Sequence, residues 1–193
     1  MRLVVAVTGA TGAVYAVRLL EALKAAGVEV HLILSRWGEE ILRLETGIDG
    51  NAVGALASFA YQENDLGAAV ASGSFQHQGM VVIPCSMKTL AGIAHGYAAN
   101  LISRAADVTL KEGRRLILVP RETPLNAIHL ENMLTLARLG VVIMPPVPAF
   151  YYRPATIDEL VQHLVGRILD HLGLEHNLLS RWGDNSEVKG DGD

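Results

Sequence analysis

Five short apolar runs, each separated from the next by turn and helix signals, are what most constrain this chain. "RLVVAV" (Arg2–Val7) is β-branched and almost wholly apolar, so it reads as a strand buried on both faces. Residues 13–26 place Val14, Val17, Leu20 and Leu23 at helical spacing, Gly27 stops that helix, and "VEVHLIL" (28–34) is a second strand. Two strands joined through a helix pair in parallel, because a helical crossover returns the chain to the same end of the sheet. "MVVIP" (80–84), "RLILVP" (115–120) and "VVIM" (141–144) continue the pattern, with helices expected in the segment opening "SMKTLAGIAHG" and over 100–112. Residues 36–71 read as short helices and 72–79 as a loop. Thr123 and Pro124 read as the start of another helix that ends at Gly140. Thr156 and Glu159 form a capping-box pattern for the last helix, whose apolar arc is Ile157, Leu160, Val161, Leu164, Ile168 and Leu172. The expected architecture is a doubly wound α/β parallel sheet in one domain over 1–183, followed by a polar tail, 184–193, with the composition of a disordered segment.

Composition removes several function classes. A formal charge of −4 argues against nucleic acid as a partner, since a phosphate backbone calls for a basic footprint. The single cysteine excludes an internal disulfide and a Cys-rich zinc site, and the seven histidines show no metal-ligand spacing. No apolar run reaches membrane-spanning length, and "LVVAV" is too short for a signal peptide, which points to the cytoplasm. Half the residues are hydrophobic and only 19% are charged, a low share for a monomer's surface, so association into an oligomer is expected.

In open parallel sheets, ligands bind beyond the carboxyl ends of the strands. The residues there are "TGATGA" after the first run, Ser35 after the second, Cys85–Thr89 after the third, and Arg121 with Glu122 after the fourth. A Pro-rich loop with Tyr151 and Tyr152 follows the fifth. Gly9, with the hydroxyls of Thr8 and Thr11 and a helix start, suits a phosphate or serves as a plain strand-to-helix turn. A nicotinamide-dependent reductase of the short-chain type also begins "TGATG", and Arg36 would suit its cofactor. The third glycine of that fingerprint is absent, however, and no tyrosine here has a lysine four residues later. Cys85 follows "VVIP" directly, where a small apolar residue is packed rather than reactive. Ser86 and Thr89 begin a helix, where hydroxyls and N–H groups hold either a cap or a ligand, and Lys88 adds charge. Arg104 and Lys111, seven apart, share a helix face. Arg167 borders the last helix's apolar arc, where an arginine ordinarily snorkels. His129, His163 and His171 read as surface groups on helices.

Taken together, "TGATGA", "PCSMKTLAGI", "NLISRAADVTLKEGRRLILVPRETPL", "HLENMLTLARLGVVIMPPVPAFYYRP" and "GRILD" resemble the flavin prenyltransferases of the UbiX/Pad type, from residue 2 to about 183. "CSMKTLAG" is similar to the branch that accompanies phenolic-acid decarboxylases. The resemblance implies a flavodoxin-like fold, FMN, a homo-oligomer that is typically a dodecamer, and no metal. It implies transfer of a dimethylallyl group from dimethylallyl phosphate to N5 and C6 of reduced FMN, with the prenylated FMN passing to a UbiD-type decarboxylase.

By motif, the resemblance places FMN on Gly9, Ala10, Thr11, Ser35, the segment Ser86, Met87, Lys88 and Thr89, and Arg121. It places the prenyl phosphate on Tyr151 and Arg167, with Lys111 and Arg104 lending positive charge, Glu122 managing protons and Glu45 assisting. Thr11 stands where the family usually has serine; the hydroxyl is kept but the β-branch stiffens it. Two other readings belong to different classes: a flavin-dependent decarboxylase acting directly on an aromatic acid or cysteine peptide, and a non-catalytic FMN-carrying subunit. The "PxMNxxMW" motif of cysteine-peptide decarboxylases is missing.

Overall fold

The computed structural model describes residues 1–179 and 181; the tail expected over 184–193 lies outside them. Two compact units emerge, Met1–Pro146 and Val147 onward. In the first, the order is β1 (Arg2–Val7), α1 (Ala13–Ala25), β2 (Glu29–Leu34), α2 (Arg36–Thr46), α3 (Gly50–Gly54), β3 (Phe59–Gln62) and a 3-10 turn (Ala69–Ala71). It continues with β4 (Gly79–Cys85), α4 (Met87–Ala94), α5 (Leu101–Lys111), β5 (Arg115–Pro120), α6 (Ala127–Arg138) and β6 (Val142–Ile143). The strands form one sheet in the order β3-β2-β1-β4-β5-β6, and every neighbouring pair is parallel.

The continuous apolar runs become the central strands because helices cover both faces there. Every residue of β4 is buried, as are five of six in each of β1, β2 and β5. One core cluster ties Val4, Ala6, Ile33, Met80 and Val82 of the sheet to Leu90, Leu101, Ile102 and Leu136 of the helices. Fully burying such side chains contributes roughly 1.5–3 kcal/mol each.

The expectation of only short helices over 36–71 is corrected by β3. "FAYQ" is a short strand at the sheet's edge, with three of its four residues exposed, so it lacks the apolar run that marks its neighbours. A polar network holds it. His31 Nε2 donates to Glu29 Oε1 at 2.9 Å, which leaves Nδ1 to accept from the Tyr61 hydroxyl at 2.9 Å, and the imidazole stacks on Phe59. The start of α6 also differs from expectation. Asn126, not Thr123, caps it, accepting from His129 N at 2.9 Å, so the helix begins beyond Pro124. An asparagine side chain makes a better cap than threonine.

The second unit carries α7 (Ile157–Leu172). Thr156 Oγ1 accepts from Glu159 N at 3.2 Å as expected, while Glu159 Oε2 takes Ala155 N at 2.7 Å, one residue earlier than the capping box requires. Val161, Leu164, Ile168 and Leu172 are buried, but Ile157 in the first turn is 78% exposed and leaves the expected arc. His163 is not a plain surface group: it stacks on Tyr152 with centroids 4.9 Å apart. A Cβ on Gly166 would lie 2.6 Å from Leu179 Cδ2, so the chain after α7 lies directly against this helix.

His77, two residues before β4, is buried and generates a pH prediction. Burial pushes its pKa below the ordinary value; the Gly79 carbonyl opposes this, and Arg114, His31 and Arg2 add to it. An unfolded histidine titrates near 6.5, so below that pH the unfolded state holds more protons and stability falls as pH drops. Urea midpoints measured from pH 7 to 5 should decline for the wild type and decline less for His77→Gln. Equal slopes would remove His77 from the acid sensitivity.

Candidate functional site

Strand order reverses between β1 and β4, so the chains leaving these two strands diverge. Thr8 stands at the parting. Its buried hydroxyl donates to Pro84 O at 2.7 Å and accepts from Ser86 N at 2.8 Å, which ties the end of β1 to the start of α4. Ser35 N donates to Val7 O and Arg121 N to Cys85 O, so the ends of four strands are laced along one edge.

A cavity of about 300 Å³ opens here, and Gly9, Ser35, Ser86, Lys88 and Thr89 all line it. Five residues separated in sequence thus meet as the sequence predicted. A smaller cavity of about 150 Å³ shares Lys88, Thr89 and Asn100 with it. Ser86 caps α4: its Oγ accepts from Thr89 N at 3.3 Å and donates to Thr89 Oγ1 at 3.0 Å. The earlier N–H groups of that first turn have no partner within the helix and, with the dipole, favour an anion. Ser35 caps α2 by accepting from Gly38 N at 2.9 Å. Backbones approach closely around it. A Cβ on Gly38 would sit 2.5 Å from Val7 O, and one on Gly9 2.5 Å from Trp37 Cβ.

The start of α1 is arranged otherwise. Glu45 Oε2 accepts from Gly12 N at 2.9 Å and Ala13 N at 2.8 Å, and Thr11 Oγ1 donates to Glu45 Oε1. A carboxylate of the chain itself therefore fills the seat that "TGATGA" offered to a phosphate. Ala10 is buried, and Met87 packs against the core. Arg121 and Glu122 leave β5 at the same sheet edge with exposed side chains, and Glu122 Oε1 accepts from Thr123 N at 3.0 Å.

Arg104 and Lys111 are not brought to this cavity within the chain. Asn100, the cap of α5, lines it, whereas Lys111 closes the helix about 15 Å further along the axis. Lys111 pairs with Glu112. Arg104 donates to Asp107 Oδ2 at 2.8 Å and to Ala71 O at 3.1 Å. Tyr151 and Arg167 belong to the second unit. There the Tyr151 hydroxyl lies 3.0 Å from His163 Nε2, and Arg167 donates to Asp170 Oδ2 at 3.2 Å. Asp170 also accepts from Arg181 at 2.7 Å and from His176 at 3.1 Å, and these partners, Arg181 first, hold its carboxyl down at about 2.

Cys85 is fully buried, and burial pushes its thiol up to about 12, so it offers no thiolate and serves as packing. Four lining residues escaped the sequence reading: Glu63, Asn100, Trp37 and the apolar Ile102. Glu63 accepts from Arg36 N and from Asn100 Nδ2, both at 2.9 Å, and so links the starts of α2 and α5. Asn100 has a sequence signal, since Ser103 completes its capping box. Trp37, 67% exposed, covers Gly9 at the cavity mouth and has none. Among the described residues, no group of His, Cys, Asp or Glu could hold a metal ion.

The donor set fits a phosphorylated flavin: the hydroxyls of Ser35, Ser86 and Thr89, a lysine and a helix start line one cleft, beside Gly9, where a Cβ would collide with Trp37. Thr8→Val keeps the shape but leaves Ser86 N without its buried partner and Pro84 O with only the backbone N–H of residue 8. It should lower stability by about 1–3 kcal/mol and weaken FMN binding, measured by denaturant titration and by fluorescence quenching. Unchanged FMN affinity would separate the Thr8 tie from the cleft.

The flavoprotein family model matches residues 1–169. The flavin prenyltransferase LpdB of Lactiplantibacillus plantarum is 54% identical over 94% of this chain and 97% of its own length. A dodecameric FMN-dependent UbiX-like decarboxylase from Escherichia coli O157:H7 superposes with a TM-score of 0.93 at 56% identity, covering 94% of this chain and 99% of that one. AnUbiX (PadA1), solved with FMN and dimethylallyl pyrophosphate, gives 0.92 at 52% identity, covering 94% and 96%. This chain belongs to the UbiX-like flavin prenyltransferases.

Proposed function

We propose that the protein joins the dimethylallyl group of dimethylallyl phosphate to reduced FMN, releasing phosphate and yielding prenylated FMN for a UbiD-type decarboxylase. The observation that carries this reading is the cleft at the β1/β4 switch point, where Gly9, Ser35, Ser86, Lys88 and Thr89 converge in a chain of this family. Reduced FMN supplies the nucleophilic ring atoms. Ser86, Thr89, Lys88 and the first turn of α4 hold it, joined by Ser35, Gly9, Ala10, Met87 and Arg121 around the cleft. The Thr11 hydroxyl would relay a proton, receiving the one that reduced FMN loses on alkylation as it passes its own to Glu45 Oε1. Glu122 is the second carboxylate available to the departing phosphate.

Tyr151 and Arg167 bind the prenyl phosphate. The leaving oxygens gain negative charge as the allylic bond breaks, and fixed cations stabilise that charge. Asp170 has Arg181 and His176 as alternative partners, so Arg167 can turn to a phosphate without stranding a bare carboxylate. Lys111 acts in the cleft of a neighbouring subunit, since α5 carries it away from its own, and Arg104, one turn beyond Asn100 and turned to Asp107 and Ala71 O, acts there with it. The exposed Ile128, Leu130 and Leu134 of α6 support a homo-oligomer, and we take it to be a dodecamer. The protein is assigned to the cytoplasm, supported by the finding that no helix among the described residues is long and apolar enough to cross a membrane.

Under anaerobic conditions, without added metal, the protein should release inorganic phosphate from dimethylallyl phosphate only when reduced FMN is present. Arg167→Ala should lower that release by about 100-fold while FMN stays bound. Loss of bound FMN as the main effect would remove Arg167 from the prenyl-phosphate site. Intact donor beside bound flavin in the wild type would favour a carrier subunit, and carbon dioxide released from an aromatic acid by the protein alone would favour a decarboxylase.

A further inference from the structure

The second unit holds a cluster of rings around a residue assigned to the prenyl phosphate. The Tyr151 hydroxyl lies 3.0 Å from His163 Nε2. His163 stacks on Tyr152, with centroids 4.9 Å apart and ring planes 9° from parallel, and meets Tyr151 edge-on at 5.8 Å. The Tyr152 hydroxyl donates to Glu159 O at 3.2 Å, which holds that ring in place against the imidazole. Arg167 follows His163 by one helical turn, on the same side of α7. The reaction above gives His163 no part.

A departing phosphate needs a proton as well as cations. A phosphate monoester is close to dianionic near neutral pH, its second pKa being about 6. When it keeps both electrons of the carbon–oxygen bond it gains a further negative charge, so it leaves as a trianion unless a proton meets it. Arg167 attracts that charge but gives up no proton, because a guanidinium stays protonated in proteins. The Tyr151 hydroxyl has a proton to give, but a phenol with an ordinary pKa near 10 does not remain ionised at neutral pH. Its oxygen therefore needs a replacement, and His163 Nε2 is the nitrogen within reach.

We propose that His163 is the positioning residue for this step: its Nε2–H aims the Tyr151 hydroxyl at the phosphate and replaces the proton that the hydroxyl hands over. The inference rests on the reading that Tyr151 and Arg167 bind the prenyl phosphate. As the carbon–oxygen bond breaks, the Tyr151 proton passes to a phosphate oxygen and the Nε2 proton passes to the tyrosine oxygen. Neutral imidazole remains, and water recharges it. Burial, and after it Arg167, push His163 below its ordinary pKa, so it is neutral before the donor binds. Arg167 is the charge that acts on it, while Tyr151 and Tyr152 face it from the turn before α7. A dianion held by Tyr151 and Arg167 offsets that charge and favours the imidazolium, which also gains from the face of Tyr152. The proton is thus loaded when the donor arrives.

The test follows phosphate release across pH, at saturating dimethylallyl phosphate and reduced FMN, for the wild type, Tyr151→Phe, His163→Gln and the double variant. Glutamine keeps an N–H for the Tyr151 oxygen but has no proton to pass on. Wild-type kcat should fall as pH rises through the pKa of the donor-bound imidazole. His163→Gln should lower kcat about 100-fold, flatten that limb and leave KM for the donor nearly unchanged, and the double variant should lose no more than Tyr151→Phe. A wild-type rate and pH profile in His163→Gln, or additive losses, would overturn the proposal and leave prenyl transfer standing. A wild type that releases no phosphate would overturn both. If His163→Gln fails to fold, calorimetry on the wild type loaded with oxidised FMN decides the matter. Dimethylallyl phosphate binding well above the donor's second pKa of about 6, in buffers of different ionisation heat, should show proton uptake; none would overturn the proposal.

Discussion

The hydroxyl of Thr8 holds the sheet together where its two halves part. Beyond the ladder that pairs Val4–Ala6 with Met80–Val82, Thr8 joins the two ends: its N–H donates to Pro84 O at 3.3 Å, and its hydroxyl donates to the same oxygen and accepts from Ser86 N, which fixes where α4 begins. Everything chemical in the cleft follows from this placement. Ser86 caps α4 through a local bond from Thr89 N, and Thr8 sets where that capped turn lies relative to β1. A valine would fill the same space and make neither bond.

Electrostatics then divides the helix starts along this edge. Glu45 occupies the start of α1, and Glu63 takes the first N–H of α2. The start of α4 has no acidic residue and has Lys88 in its first turn, which favours an anion there. The cations assigned to the prenyl phosphate are spread over two units, and Lys111 stands a full helix length from Asn100. Positive charge concentrated in one empty cleft would repel itself. The proposed function therefore draws its cations from several elements rather than from one empty cleft.

Much of this was legible in the sequence, for identifiable reasons. β1, β2, β4 and β5 announce themselves because burial on both faces demands unbroken apolar runs. The caps at Ser86 and Thr156 are local, so a hydroxyl before a helix start reveals them. β3 stayed hidden because an edge strand of four residues, mostly exposed, needs no such run. Thr11 lies 34 positions from Glu45, and Asn100 lies 37 from Glu63. No local pattern encodes either contact, which is why "TGATGA" left a phosphate site and a plain turn both open. Arg104 and Lys111 were visible as one helix face, but their distance from the cleft required the direction of α5 relative to the sheet.

The most direct measurement is the mass of the flavin released after anaerobic incubation of the purified protein with reduced FMN and dimethylallyl phosphate. The proposed activity predicts FMN heavier by one C5 prenyl unit, absent when the protein is omitted. Recovery of unmodified FMN from folded, flavin-bound protein, with the monophosphate and again with the diphosphate donor, would contradict it.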